Sequence, residues 1–284
     1  ATDFYANVTR ETAAYVGTRA GTSVNNTVLN LDTQQLNIKA DANLNATADS
    51  ATVGIALGVG AAIANSIATV NGTTLAYVGE GATVNAGGVL IDAKSIDNAS
   101  TDSKVVSVGL LAAVNDAQSL ATVSSRTEAF AGALSGVVAS TAPAAINVGG
   151  GLIEIKADAI MTAISDMDGG GFGSINVQLF EPNAEVNGAT RAYVREGMSI
   201  NAGNLSIQAG TMDNRVDFVA NASTANGSFS LIGTFKDLKP SAIVSAVVEA
   251  FVGASTDTIG GGDPSADIVL TSSSELVIEA WGNF

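Results

Sequence analysis

The chain has 284 residues, of which 46% are hydrophobic, 5% aromatic and 14% charged; its net charge is −15, and it contains neither cysteine nor histidine. The acidic field disfavours nucleic acid and anionic lipid heads as partners. The two missing residue types remove disulfide staples, thiolate metal sites, a cysteine nucleophile, the commonest zinc ligand and the Ser-His-Asp triad together.

The first element is a strand in residues 1–17, which follows no secretory leader pattern; the chain reads as a piece of something larger. It carries the pattern Ala6, Val8, Thr12, Ala14, Tyr15. The same pattern returns as Ala68, Val70, Thr74, Ala76, Tyr77; as Ala121, Val123, Thr127, Ala129, Phe130; as Ala184, Val186, Thr190, Ala192, Tyr193; and as Ala242, Val244, Val248, Ala250, Phe251. The final alanine at 14, 76, 129, 192 and 250 sets steps of 62, 53, 63 and 58 residues. A period of that length signals a stacked array.

A second block follows each copy. It is fullest as Gly81 to Ala93 (GATVNAGGVLIDA) and Gly197 to Ala209 (GMSINAGNLSIQA), with shorter forms ending LNIKA at Ala40, IEIKA at Ala157 and LVIEA at Ala280. Both blocks alternate with period two and are rich in Val, Ile, Thr and Tyr, so they read as strands. The Asn-Ala-Gly of Asn85 to Gly87 and Asn201 to Gly203 reads as a turn using residues that tolerate positive φ. The segments 24–35, 136–145 and 255–264 read as variable loop insertions at one recurrent edge, a binding edge in an adhesive module.

After each second block comes a polar stretch, with an acidic residue nine positions past the alanine at Asp49, Asp102 and Asp166, then a Gly- and Ala-rich apolar stretch. This predicts a long strand, a turn near Gly58 to Gly60 and a return strand, giving long hairpins on one edge. Residues 53–70 approach the length of a membrane span, but a strand pair recurring at 105–123 explains them better. Residues 105–120 alone leave strand and helix both open.

The fold class expected is therefore all-β: a parallel β-helix-like solenoid of about five degenerate 53–63-residue repeats. One continuous array fills 1–284, with a partial repeat at 1–17, repeats near 18–79, 80–132, 133–195 and 196–253, and a partial repeat at 254–284. Stacked coils at ~4.8 Å favour Ala, Val, Gly and Thr inside and a Ser/Thr/Asn exterior. Tyr15, Tyr77, Phe130, Tyr193 and Phe251 should stack as a structural ladder, with a sugar-binding strip as the other reading. The pairing of an A-[YF]-V-G strand with G-A-x-V-N-A-G-x-L-x-I-x-A resembles the repeats of giant bacterial exoproteins of the filamentous haemagglutinin and adhesin type. The resemblance implies a β-helical shaft on an extracellular, cell-attached or filamentous protein and transfers no catalytic residue.

Candidate sites are sparse. Asp166 and Asp168 before Gly169 to Gly171, and Asp257, Asp263 and Asp267 around Gly260 to Gly262, place oxygens that calcium takes, as acidic Gly-rich surface turns. Neither group matches a calcium-binding repeat or an EF-hand, and calcium is the one cofactor considered. Glu80, Asp92, Glu128 and Glu154 are the carboxylates available to a glycosidase, more simply read as solvated outer charges. Sequons such as Asn7 to Thr9 and Asn45 to Thr47 matter only in a glycosylating source. At the two ends, Phe4, Tyr5, Trp281 and Phe284 form apolar half-repeats suited to end-to-end stacking by strand complementation. The expected function is a structural segment of an extracellular filament or adhesin, not an enzyme; a glycan- or host-protein-binding module is the alternative, and a β-helical polysaccharide-active enzyme the third reading. The expected partners are the chain itself or neighbouring segments of a longer chain.

Overall fold

A computed structural model describes residues 2–137, 139, 142, 144–210, 216–253, 267–270, 276–280 and 282–283. The described residues form strands joined by turns, with no helix. The chain begins with β1 (Thr2–Val16), a short β2 (Thr27–Asn30), and two long strands, β3 (Gln35–Ala56) and β4 (Val59–Val78). Next come β5 (Ala82–Asn85), β6 (Gly88–Gly109), β7 (Ala112–Val123) and β8 (Arg126–Ala131), then β9 (Ala144–Asn147), β10 (Leu152–Val186) and β11 (Ala189–Val194). They are followed by β12 (Met198–Ala202), β13 (Asn204–Ala209), β14 (Val216–Leu238), β15 (Ser241–Val244) and β16 (Val247–Val252), then β17 (Asp267–Leu270), β18 (Leu276–Ala280) and β19 (Gly282–Asn283).

These strands make one 14-stranded and one 5-stranded sheet, the smaller in the order β17-β12-β9-β5-β2. Every pairing among them is parallel, as in Thr2↔Ala64, Gln35↔Gly88 and Ile153↔Val89. Parallel neighbours need a long crossover, and here the crossover is the intervening stretch of chain rather than a helix. With no helix to cover the sheet faces, long strands must cover one another. The expected hairpins are therefore corrected: β3 and β4 reverse direction across Leu57 and Gly58 without pairing to each other. They pack face to face instead, each pairing with the equivalent strand in the next layer.

The register joins the positions the sequence pattern aligns. Ala14 pairs with Ala76, Ala76 with Ala129, Ala129 with Ala192 and Ala192 with Ala250. The segment left open between strand and helix becomes strands β6 and β7. β10 serves both legs, pairing first with β6 and then with β7, and its register shifts between Gly173 and Ile175, where the chain turns back. Asp166 to Gly171 thus lie within a strand, not in the expected acidic turn. Their glycines are needed because the layers close here: side chains at Gly169 and Gly171 would run into Phe180 and Asn176.

Two apolar clusters fill the body. One gathers Ala76, Val78, Ile91, Ala93, Ile146, Ile155, Val194, Ile200 and Ile207; the other gathers Leu44, Ala68, Val70, Met161, Val186 and Phe218. The expected polar exterior is corrected in part, because many hydroxyls lie between the layers. Ser66 Oγ donates to Ser50 Oγ at 2.9 Å and accepts from Ser103 Oγ at 2.8 Å, while Ser119 and Ser165 share a hydrogen at 2.5 Å, all buried. Serine is small enough for a thin interior, and these serines find their partners across the gap.

The Asn-Ala-Gly turns are also corrected. Neither Gly87 nor Gly203 has a positive φ. Glycine is required there because a Cβ would collide with the carbonyl oxygens of Thr33 and Gly150 in the neighbouring layer. The segments 24–35 and 136–145 are not plain loops, since they carry β2 and the start of β9, while 255–264 lies outside the described residues.

Candidate functional site

The aromatic column stacks as a ladder. Ring centroids are 5.1 Å apart for Tyr15 and Tyr77, 4.6 Å for Tyr77 and Phe130, 5.0 Å for Phe130 and Tyr193, and 4.8 Å for Tyr193 and Phe251, with nearly parallel planes. Tyr77, Phe130 and Tyr193 are buried, so their faces are not available to a sugar ring. The two buried phenols find partners at one flank. Tyr77 Oη accepts from the Ala20 N–H at 2.8 Å, and Tyr193 Oη accepts from the Ser135 N–H at 2.8 Å while donating to Glu128 Oε2 at 2.6 Å.

Glu128 is consequently not the solvated carboxylate expected. It is fully buried and accepts from Arg126 Nε at 2.5 Å, Arg126 Nη2 at 3.0 Å, Ser135 Oγ at 2.8 Å and Arg191 Nη1 at 3.4 Å. Arg191 also reaches Glu249 at 2.7 Å, and the buried Arg195 pairs with Glu196 at 2.5 Å. Burial first, then the neighbouring Glu128 carboxylate, pushes the Tyr193 phenol well above its ordinary value, so it stays a donor. A carboxylate sealed under two arginines and a phenol has no route to a polysaccharide. Of the other carboxylates considered, Asp92 lies between Lys39 at 3.8 Å and Lys94 at 3.7 Å, and Glu154 pairs with Lys156 at 2.8 Å.

The acidic column is in register: Asp49 pairs with Asp102, and Asp102 with Asp166. Lys104 Nζ donates to Asp102 Oδ2 at 2.9 Å, and Ser223 Oγ donates to Asp166 Oδ1 at 2.6 Å. Asp168 lies beside Lys104 on the adjacent strand. Among the described residues no group of three or more Asp or Glu side chains is placed to hold a metal ion. Asp257 and Asp263 lie outside those residues, and Asp267 is placed only as the start of β17.

Next to this column is a groove of about 540 Å³ on the outer face, lined by Lys104, Val106, Asp168, Gly170, Asn226 and Gly227 among others. Register explains it. Val53, Val106, Gly170 and Gly227 occupy one outward column, so two successive rows lack a side chain where the previous two carry valine.

Of the aromatic end residues, Phe4 packs on the second core cluster and Tyr5 is 67% exposed on β1, while Trp281 and Phe284 lie outside the described residues. β1 pairs with β4 alone, so its other backbone edge carries no strand among the described residues.

Sequence reasoning missed an amide ladder. Asn85 Nδ2 donates to Asn30 Oδ1 at 2.6 Å, and Asn147 Nδ2 donates to Asn85 Oδ1 at 2.9 Å, with Asn201 next in register. The signal was present in the endings Val-Leu-Asn, Thr-Val-Asn, Ala-Ile-Asn and Ser-Ile-Asn, once 24–35 and 136–145 are read as strand-bearing. Asn45 and Asn98 make a second such bond at 2.9 Å.

Comparison with protein-family models, curated proteins and solved structures finds no match. No helix among the described residues is long and apolar enough to cross a membrane.

Proposed function

We propose that the chain is a β-solenoid segment of an extracellular filament or adhesin shaft, with five successive coils in the single array 1–284 and no catalytic role. The observation that carries this reading is the unbroken parallel register through Tyr15, Tyr77, Phe130, Tyr193 and Phe251. Aromatic side chains stacked at strand spacing, with asparagine ladders beside them, give rigidity along one axis rather than a cleft for chemistry. The uncovered edge of β1 is a template for a further strand, supplied by another copy or by a neighbouring segment of a longer chain. Glycan or host-protein adhesion is the second use of such a shaft, and the outer groove is the feature that would serve it.

Negative-stain microscopy over a concentration series, with and without calcium, tests the stacking. Filaments one molecule wide that lengthen with concentration are expected. Short, uniform rods at the highest concentration would overturn end-to-end assembly, and filaments that appear only with calcium would return the acidic column to consideration as a metal site.

A further inference from the structure

The reversals of the long strands place an uncharged apolar ridge on one side of the molecule. Residues 51–79, 105–115, 169–180 and 218–235 contain no charged side chain. At the ridge, Ile55 is 76% exposed, Leu57 86%, Leu231 76% and Ile232 77%, alongside exposed Val53, Leu110, Leu111, Phe172, Phe229 and Phe235. An exposed run of large apolar side chains is more often an interaction surface than bare protein surface.

The turn backbones of this ridge are already bonded layer to layer. The Leu111 N–H donates to Gly58 O at 2.9 Å and the Ile175 N–H to Leu111 O at 3.1 Å, while Ser174 Oγ donates to Leu110 O at 2.9 Å. Covering the ridge would therefore strand few peptide groups, and the usual penalty for drying a turn is small.

The outer face of the same layer has a shape that is complementary to itself. Along the column at the groove the rows read Val53, Val106, Gly170, Gly227; two residues further on they read Ile55, Val108, Phe172, Phe229; two residues before, Lys104 is followed by Asp168. Phe172 and Phe229 stack at 5.4 Å. A two-fold axis parallel to the strands, passing between the β6 and β10 rows, exchanges the first row with the fourth and the second with the third. It sets Val53 over Gly227, Val106 over Gly170, Ile55 over Phe229, and Lys104 over Asp168. At the groove valines meet gaps and Lys104 meets Asp168, while Ile55 and Val108 lie against the two stacked rings; one column further out the same axis brings Asp102 over Asp166, which Lys104 and Ser223 already hold.

We infer that this face is a lateral docking surface for a second copy of the chain, whose valines fill the glycine groove. The contact is separate from the β1 edge, so the pairing does not depend on end-to-end stacking.

Sedimentation velocity over a concentration series in low and high salt tests the inference on the whole chain. The wild type is expected to pass from monomer to dimer, at lower concentration in high salt because screening weakens the repulsion between two acidic bodies. Gly227→Leu fills the groove at a position where an added Cβ meets open space, so the monomer keeps its fold while dimerisation weakens at least tenfold. Leu57→Glu, at the most exposed ridge side chain, does the same. Lys104→Asp weakens pairing, and adding Asp168→Lys restores it. A wild type that stays monomeric in high salt, or a Gly227→Leu protein that dimerises unchanged, overturns the proposal. So does dimerisation abolished by Tyr5→Glu on β1 but not by the ridge variants. Binding of monomers to phosphatidylcholine vesicles without dimerisation would assign the ridge to lipid instead.

Discussion

The phenol of Tyr193 donates to Glu128 Oε2 at 2.6 Å from within a stack of rings, tying the aromatic ladder to a buried cluster of charges. The same oxygen accepts the Ser135 N–H, so one hydroxyl settles two buried groups. Tyr193→Phe keeps the ring stack and deletes both bonds. Its expected cost is about 1.5–3 kcal/mol, the range for a hydrogen bond to a charged group, read as a lower urea midpoint at an unchanged slope. A variant as stable as the parent would show that the hydroxyl is not needed.

Glu128→Gln should cost more. Arg126 and Arg191 would lose the carboxylate they share, leaving positive charge poorly compensated where Glu128 is fully buried. Removing one partner of a buried ion pair costs about 3–5 kcal/mol. Thermal unfolding should show the loss, and Arg126→Met/Glu128→Leu together should recover part of it, because the remaining Arg191 keeps Glu249.

Asp97 supplies a dependence on pH. It stands in an inward row between Leu44 and Met161, with both oxygens buried and only the Ser95 and Ser125 hydroxyls near enough to favour its charge. The groups near it are neutral: Ser95 on its own strand, Gly72 and Leu44 from the layers opposite and beside it, and Ser125 from the turn before β8. Burial pushes its carboxyl above the ordinary value, against the pull of the Ser125 and Ser95 hydroxyls. A raised value means that the folded chain holds the proton more tightly than the unfolded chain. The stabilising contribution is then complete below the ordinary carboxylate value and is lost as pH rises through the raised one. Asp97→Leu should therefore raise the unfolding free energy from urea titration at pH 8 by about 1–3 kcal/mol, and much less at pH 4. Equal shifts at both values would refute the assignment.

The column Asp49, Asp102 and Asp166 sets like charges one strand apart, relieved by Lys104 at Asp102. Lys104→Gln should lower the melting temperature in low salt, and the deficit should shrink in 1 M salt, where the Debye length is ~3 Å. Addition of calcium should leave the difference between the two proteins unchanged, since the column offers no three-carboxylate site. A calcium-dependent rise confined to the variant would contradict this.

The strands and their register were legible because one periodic signal, alternation with an aromatic at a fixed place, reports both face and neighbour. Ala14, Ala76, Ala129, Ala192 and Ala250 align in sequence and pair in space for that reason. What the sequence hid was the environment of polar residues. Glu128 and Glu154 look alike in a strand pattern, yet one is sealed by Arg191 from the next layer, a contact set 63 positions away, while the other keeps 29% of its side chain exposed beside Lys156. The interior serines were obscured because a serine between two layers has the same neighbours in sequence as one facing water. The apolar column of Val53 and Val106 and the gap at Gly170 and Gly227 were each visible as letters. Only the register turned them into a surface.

The unequal steps along the chain have one more implication. Moving from Ala76 to Ala129 consumes 53 residues and moving from Ala129 to Ala192 consumes 63, as in the hydrogen bonds between Asn45 and Asn98 and between Glu128 and Arg191, yet each step crosses a single strand spacing of ~4.8 Å. The distance between paired residues is therefore set by the backbone and not by the number of residues between them. An excursion of ten more residues changes what lies between two strands and leaves their pairing where it was.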